Sequence, residues 1–126
     1  MLVLDSGGVS RLAQRSTRAL ALIAAFRQQG LWPPLVPSVV LVESLTGRGT
    51  RDANVNRLVK TCDVAESVPQ PMARRAAELR HRARRGSAVD AVTVAAAEPG
   101  GTVLTSDPKD LEALAAHATA VTIERA

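Results

Sequence analysis

The chain has no tyrosine, one phenylalanine, one tryptophan and one cysteine among its 126 residues, and each shortage excludes something. Phe26 and Trp32 both lie outside the basic segment described below, so stacking of bases on aromatic platforms is not the main device by which a nucleic acid would be recognised. A lone Cys62 can form neither an internal disulfide nor a thiolate metal cluster, which fits a reducing compartment and a role as small apolar filler. No apolar run approaches the roughly 18 residues of a membrane span. The chain passes from Met1 straight into Leu2-Val3-Leu4-Asp5, with no basic stretch ahead of an apolar one, so it carries no secretory signal pattern. The expectation is a cytoplasmic protein that makes no use of a membrane. Repeats, linkers and low-complexity tracts are absent too. At this length one domain over residues 1–126 is expected, since domains cluster at roughly 100–150 residues.

Lysine is also scarce, with two against fourteen arginines, and the net charge is +4. Arginine offers a planar fork of donors that suits phosphate and carboxylate. Arg74, Arg75, Arg80, Arg82, Arg84 and Arg85, with His81, fall in one short window opposed only by Glu78. That window reads equally as an RNA-facing surface, a face packed against a protein partner, or a solvated helix face.

Short β-branched runs alternate with longer helical patterns, the signature of βαβ units and a parallel sheet, so the fold class is α/β. Residues 2–5 read as the first strand. Ser16 caps a helix reaching Gln29, with Gly30 as its stop. A second strand at 35–37 leads to a helix capped by Ser38 and ending at Gly47. A polar helix follows at about 52–61, then a strand at 64–68. Pro71 opens the arginine-bearing helix, which stops near Gly86, and Ser87 starts another helix that runs to Ala97. After Pro99-Gly100-Gly101 come a strand at 102–104, a short helix opened by Pro108 and a last strand at 121–123.

The acids sit at telling places. Asp5 ends the first apolar run. Glu43 interrupts a second, Asp90 is the one charge between Ala88 and Ala97, and Asp107 follows Val103-Leu104 by two small polar residues. In a parallel sheet, ligands gather at the carboxyl ends of the strands, so Asp5 and Asp107 belong at one edge, with Glu43 and Asp90 added by nearby helices. Carboxylates crowded into a half-buried pocket repel one another and lose hydration. A divalent cation relieves both costs, and an all-oxygen donor set without clustered His or Cys suits Mg²⁺ or Mn²⁺ rather than zinc. Such an ion can activate water and stabilise charge on phosphate, which is the chemistry of phosphodiester cleavage.

Each acid also has a purely local explanation. Asp5 before Gly7-Gly8 can make a turn. Asp90 can close a capping box with Ser87, and Asp107 can cap the helix opened by Pro108, with Asp110 at its third position. Glu43 can point to solvent. Other acid-using α/β folds fit less well. A receiver-like phosphoacceptor needs paired acids after the first strand, where Asp5 stands alone. A haloacid-dehalogenase-like phosphatase needs an acid where Gly7 stands.

Taken together, Leu4-Asp5-Ser6, Val42-Glu43-Ser44-Leu45-Thr46-Gly47, Val89-Asp90-Ala91-Val92 with Ala95-Ala96-Ala97, and Thr105-Ser106-Asp107-Pro108-Lys109-Asp110-Leu111 make the chain resemble PIN-domain ribonucleases, specifically VapC-type toxins of VapBC toxin–antitoxin systems. The likeness spans nearly the whole chain and departs from the usual pattern at Gly7-Gly8 and at Leu111. It implies an α/β/α sandwich around a parallel sheet, a Mg²⁺ or Mn²⁺ site, endoribonuclease activity on structured RNA such as tRNA or rRNA, a cognate VapB-like antitoxin, and a homodimer. By the resemblance, Asp5, Glu43, Asp90 and Asp107 hold the metal and position the attacking water, Ser6 and Ser106 are supporting hydroxyls, and Asp110 is a supporting acid further out. The competing expectation is a PIN-like domain that has lost catalysis and works as a protein- or RNA-binding module.

Overall fold

Alternation along the central strand sets the layers. In the computed structural model, which describes residues 1–126, β1 is Leu2–Leu4, and all three side chains are buried, though on opposite faces of the sheet. The remaining elements are α1 (Ser6–Ala13), α2 (Thr17–Gln28), β2 (Leu35–Pro37), α3 (Ser38–Ser44), α4 (Gly49–Val59), β3 (Asp63–Ala65), α5 (Gln70–Ala83), α6 (Ala88–Ala97), β4 (Thr102–Thr105), α7 (Pro108–Ala115) and β5 (Thr122–Arg125). The five strands form one parallel sheet in the order β3-β2-β1-β4-β5.

That order dictates where the helices lie. The first two crossovers step from β1 outward to β3, and the later ones step the other way through β4 to β5. Because parallel crossovers are right-handed, the two directions put their helices on opposite faces. One face buries Leu2, Leu4, Val36 and Leu104 against α1, α2, α3 and α4, through residues such as Val9, Leu12, Phe26, Val40 and Leu58. The other buries Val3 and Val103 against Leu79 of α5, Val94 of α6, and Leu111 and Leu114 of α7. The result is the expected three-layer α/β/α sandwich. Cys62 is half-buried against the first core, as a small apolar filler would be, and burial pushes its thiol pKa up. No helix is long and apolar enough to cross a membrane.

The structure departs from the sequence reading at the first turn of chain after β1. Gly7-Gly8 suggests a turn, yet residues 6–13 form α1, with Asp5 as its N-cap. The glycines are there for proximity. A Cβ on Gly8 would run into the Leu104 carbonyl oxygen, and one on Gly7 would lie 2.8 Å from the Ser106 amide nitrogen and collide with its hydroxyl. Helix α1 therefore seats its first turn directly on the end of β4. Three smaller corrections follow. Pro37, not Ser38, occupies the cap position of α3, without a side-chain cap bond, and that helix stops at Ser44 because Leu45 is already extended. Helix α4 starts at Gly49, three residues before the expected start. Strand β3 is shorter and begins at Asp63, where its register with Leu35 starts.

Gly8→Ala is expected to cost about 1–3 kcal/mol, the range for overpacking a well-filled site. Gly49→Ala, at the open start of α4 with nothing within 4 Å of an added Cβ, is expected to stabilise by about 0.4–1 kcal/mol by restricting the unfolded chain. Thermal melts of the two variants check the pair, and a stabilised Gly8→Ala would refute the close seating of α1.

Candidate active site

The sheet register carries the first contact. Leu4 pairs with Leu104, so the next residues along, Asp5 and Thr105, meet at the point where the strand order reverses, which is where open parallel sheets bind ligands. Asp5 is 9% exposed. Its Oδ1 accepts from the Gly8 amide at 2.7 Å, and its Oδ2 accepts from the Thr105 hydroxyl at 2.5 Å. The same Thr105 oxygen accepts from the Asp107 amide at 3.1 Å, so one buried hydroxyl ties the ends of β1 and β4 to the loop that enters α7. Thr105 was not singled out by sequence; its only signal is a β-branched hydroxyl residue ending a buried strand.

Around this point opens a cleft of about 290 Å³, lined by Asp5, Ser6, Gly7, Glu43, Ser87, Asp90, Thr105, Ser106, Asp107, Asp110 and Leu111. All four acids of the expected quartet line it, as do Ser6, Ser106 and Asp110. The local explanations divide. Asp90 does complete a capping box, with its Oδ2 accepting from the Ser87 amide at 3.0 Å, and it also lines the cleft. Asp107 holds the cap position of α7 but makes no side-chain cap bond, which leaves its carboxylate free. Asp5 caps α1. Glu43, in the last turn of α3, is exposed yet reaches the cleft wall. The N-terminal turns of α1, α6 and α7 all contribute lining residues, so three positive helix ends face the acids and partly offset their charge.

One acid that the sequence reading passed over fixes the turn after α3, the helix that carries Glu43. Asp52 of α4 is 5% exposed, and its carboxylate accepts from the Thr46 amide at 2.9 and 3.1 Å, the Thr46 hydroxyl at 2.9 Å and the Gly47 amide at 2.9 Å. These bonds clamp the turn that leaves α3. They also set opposite electrostatics for two buried aspartates. The Thr46 amide, with its hydroxyl and the Gly47 amide, keeps Asp52 below the ordinary carboxylate value against the cost of desolvation. Burial pushes Asp5 above the ordinary 3.8, the Asp90 charge adds to the rise, and the Thr105 and Gly8 bonds only partly oppose it.

Five carboxylates in one cleft, with no histidine or cysteine among them, form a donor set suited to a hard divalent cation. No three of the acids converge closely enough to make a ready coordination shell. That spacing accords with Mg²⁺, which is usually held through one or two carboxylates and keeps several of its waters.

The arginine window breaks up in three dimensions. Arg75 is committed to the fold: its Nε and Nη2 bind the two Glu98 oxygens at 2.8 Å each, Nη2 also reaches the His117 carbonyl, and Nη1 pairs with Glu78. Glu98 holds Arg75 firmly protonated. Arg80 donates to the Gly86 carbonyl and Arg82 pairs with Glu78. Arg74 and Arg84 are exposed, and Arg85 pairs with Asp110 at 2.9 Å. Of the six arginines expected to face RNA or a partner, Arg75 is instead committed within the fold, tying α5 to the end of α6.

Two solved structures share this architecture. The FitAB complex bound to an IR36 DNA fragment superposes with a TM-score of 0.68 at 18% identity, covering 99% of this chain and 94% of that one. FitAcB from Neisseria gonorrhoeae gives 0.65 at 19% identity, covering 97% and 96%. The fold is PIN-like. No family model matches the sequence, and no curated protein matches it either.

The two buried aspartates generate opposed predictions. A carboxyl whose folded pKa is raised favours the folded state most below its unfolded value, and that contribution is lost as pH rises through the folded value. Asp5→Asn is therefore expected to raise the melting temperature at neutral pH in the absence of divalent ions, by about 2–8 °C if it recovers about 1 kcal/mol. A carboxyl whose folded pKa is lowered contributes fully above its unfolded value and loses that contribution as pH falls through the folded value. Asp52→Asn should lower the melting temperature at neutral pH, with the deficit shrinking on acidification below 3.8. Melts across pH check both, and a destabilised Asp5→Asn would contradict the strained Asp5.

Proposed function

We propose that the chain is a Mg²⁺- or Mn²⁺-dependent endoribonuclease that acts as the toxin of a toxin–antitoxin pair. The observation that carries the reading is the cleft itself: five carboxylates, one of them buried with a raised pKa, gathered at the switch point of a parallel sheet. The neighbours on the same fold, FitAB bound to a DNA fragment and FitAcB, are assemblies with a second component, which supports a protein partner such as an antitoxin. The VapC-type assignment, the VapB-like antitoxin, the homodimer, the cytoplasmic location and the choice of tRNA or rRNA as substrate belong to the same proposal.

Asp5, Asp90, Asp107 and Glu43 would hold the ion, one or two of them directly and the others through its waters. When bound, it would lower the pKa of a coordinated water and stabilise charge developing on the phosphate. The chain's own groups divide the remaining work. Thr105 and Gly8 fix the Asp5 carboxylate by one bond to each oxygen, so its orientation is set before anything binds. The Ser87 amide holds Oδ2 of Asp90 and leaves Oδ1 open. Glu43 and Asp107, whose carboxylates have no bond within the chain, would accept hydrogen bonds from the attacking water and so position it. The Ser6 and Ser106 hydroxyls and the N-terminal turn of α7, which line the cleft, would face the phosphate oxygens. An antitoxin would block the cleft with a segment that sets an arginine against the acids.

A second reading, a non-catalytic protein- or RNA-binding module, draws on one observation: no three acids converge. Incubation of total RNA with the chain and Mg²⁺ or Mn²⁺ separates the two. Discrete fragments are expected, abolished by EDTA and reduced at least about 100-fold in Asp90→Asn. That variant keeps the capping box of α6, because the side-chain oxygen of an asparagine at that position accepts from the Ser87 amide as the aspartate does, so the loss is not one of folding. Intact RNA under both metals, with no divalent binding by calorimetry, would favour the module.

A further inference from the structure

We propose that Arg85 is the phosphate-binding residue at the mouth of the acidic cleft, held in place by Asp110 so that its free terminal nitrogens take a backbone phosphate of the bound RNA. The inference rests on the nuclease reading above and names the contact by which that cleft admits a polyanion.

Five carboxylates repel an approaching phosphodiester chain, so a cation is needed at the entrance. Of the six arginines in the basic window, Arg75, Arg80 and Arg82 have partners within the α5 region or at the end of α6, away from the cleft lining. Arg85 alone bonds a lining acid.

Its placement is built rather than incidental. Arg84 turns the chain out of α5 in the left-handed conformation, and Gly86 follows at φ +89, where an added Cβ would lie 2.7 Å from a methyl of Leu114. The Gly86 carbonyl accepts from Arg80, and Ser87 enters the capping box with Asp90. The loop is thus anchored to α5, α6 and α7, and it delivers Arg85 two residues before Ser87, which lines the cleft.

The bond to Asp110 is a single one, Nε to Oδ1, and neither terminal nitrogen has a partner. The fork that suits phosphate is left open. At 44% and 47% side-chain exposure the pair adds little to stability, so stability does not account for it. Orientation does: Asp110 aims the guanidinium and the open fork meets the ligand.

Steady-state cleavage of a single-stranded RNA oligonucleotide tests this with the parent chain, Arg85→Ala, Arg85→Lys and, as a control outside the basic window, Arg18→Ala on the exposed face of α2. Arg85→Ala is expected to raise KM about 10-fold with kcat within about threefold, the pattern of lost uniform binding. The slope of log(kcat/KM) against log salt should become shallower by about 0.7, the value of one released counterion on a single strand. Arg85→Lys should keep that slope with a smaller rise in KM, because it keeps the charge and loses the fork. Arg18→Ala should match the parent, and melting temperatures should be alike throughout. Arg85→Ala with the parent's KM and salt slope overturns the inference and leaves the nuclease reading standing, and so does an equal effect of Arg18→Ala. If the parent leaves the oligonucleotide intact, the salt slope of RNA binding by fluorescence anisotropy decides Arg85 by the same comparison, and the total-RNA assay above decides the nuclease reading separately.

Discussion

A carboxylate at the carboxyl end of a central strand loses hydration, and Asp5 replaces it with two hydrogen bonds, from the Gly8 amide and the Thr105 hydroxyl. Much of the architecture answers to that pair. The Gly8 bond requires α1 to begin immediately after β1, and the helix can sit so close to β4 only because residues 7 and 8 have no side chain. The Thr105 bond requires β1 and β4 to be neighbours in the observed register. Those two strands are neighbours because the chain reverses direction between β3 and β4, which is also what creates the crevice.

Charge in the molecule is sorted by distance. Acids concentrate in the cleft, where three helix N-termini soften their repulsion, while burial, with a smaller part from the Asp90 charge, pushes the Asp5 pKa up. Arginines dominate α5, but most of them bind nearby acids or carbonyls. A net charge of +4 therefore coexists with a strongly acidic pocket, an arrangement suited to drawing in a polyanion and then handling it with the help of a cation. Two buried aspartates thus sit in opposite settings: burial pushes Asp5 up, whereas four accepted bonds from one turn keep Asp52 down.

The PIN-like neighbours, at less than one-fifth identity, share the backbone path and leave the chemistry to be argued from this chain's own side chains. Here the cleft is the stronger argument than any single residue. Capping alone accounts for Asp90 and for the Gly8 bond of Asp5, but it accounts for neither the free carboxylate of Asp107 nor the reach of Glu43 from another helix into the same space.

Local pattern was enough for much of this. Two-residue alternation in Leu2-Val3-Leu4, the caps Ser16 and Ser87, and the acids following apolar runs made the α/β class, most elements and the quartet legible, because each depends on residues within a few positions of one another. What sequence could not carry were relations across the chain. Gly7-Gly8 reads locally as a turn and becomes a helix only against β4, and Thr105 becomes the partner of Asp5 across 100 residues of sequence. Six adjacent arginines likewise look equivalent until Glu98, Gly86 and Asp110 select among them. The amino-acid order determined which residues were suited to strands, helices and charge. Tertiary packing alone decided which of those groups are buried, paired or left free, because desolvation and hydrogen bonding depend on neighbours in space.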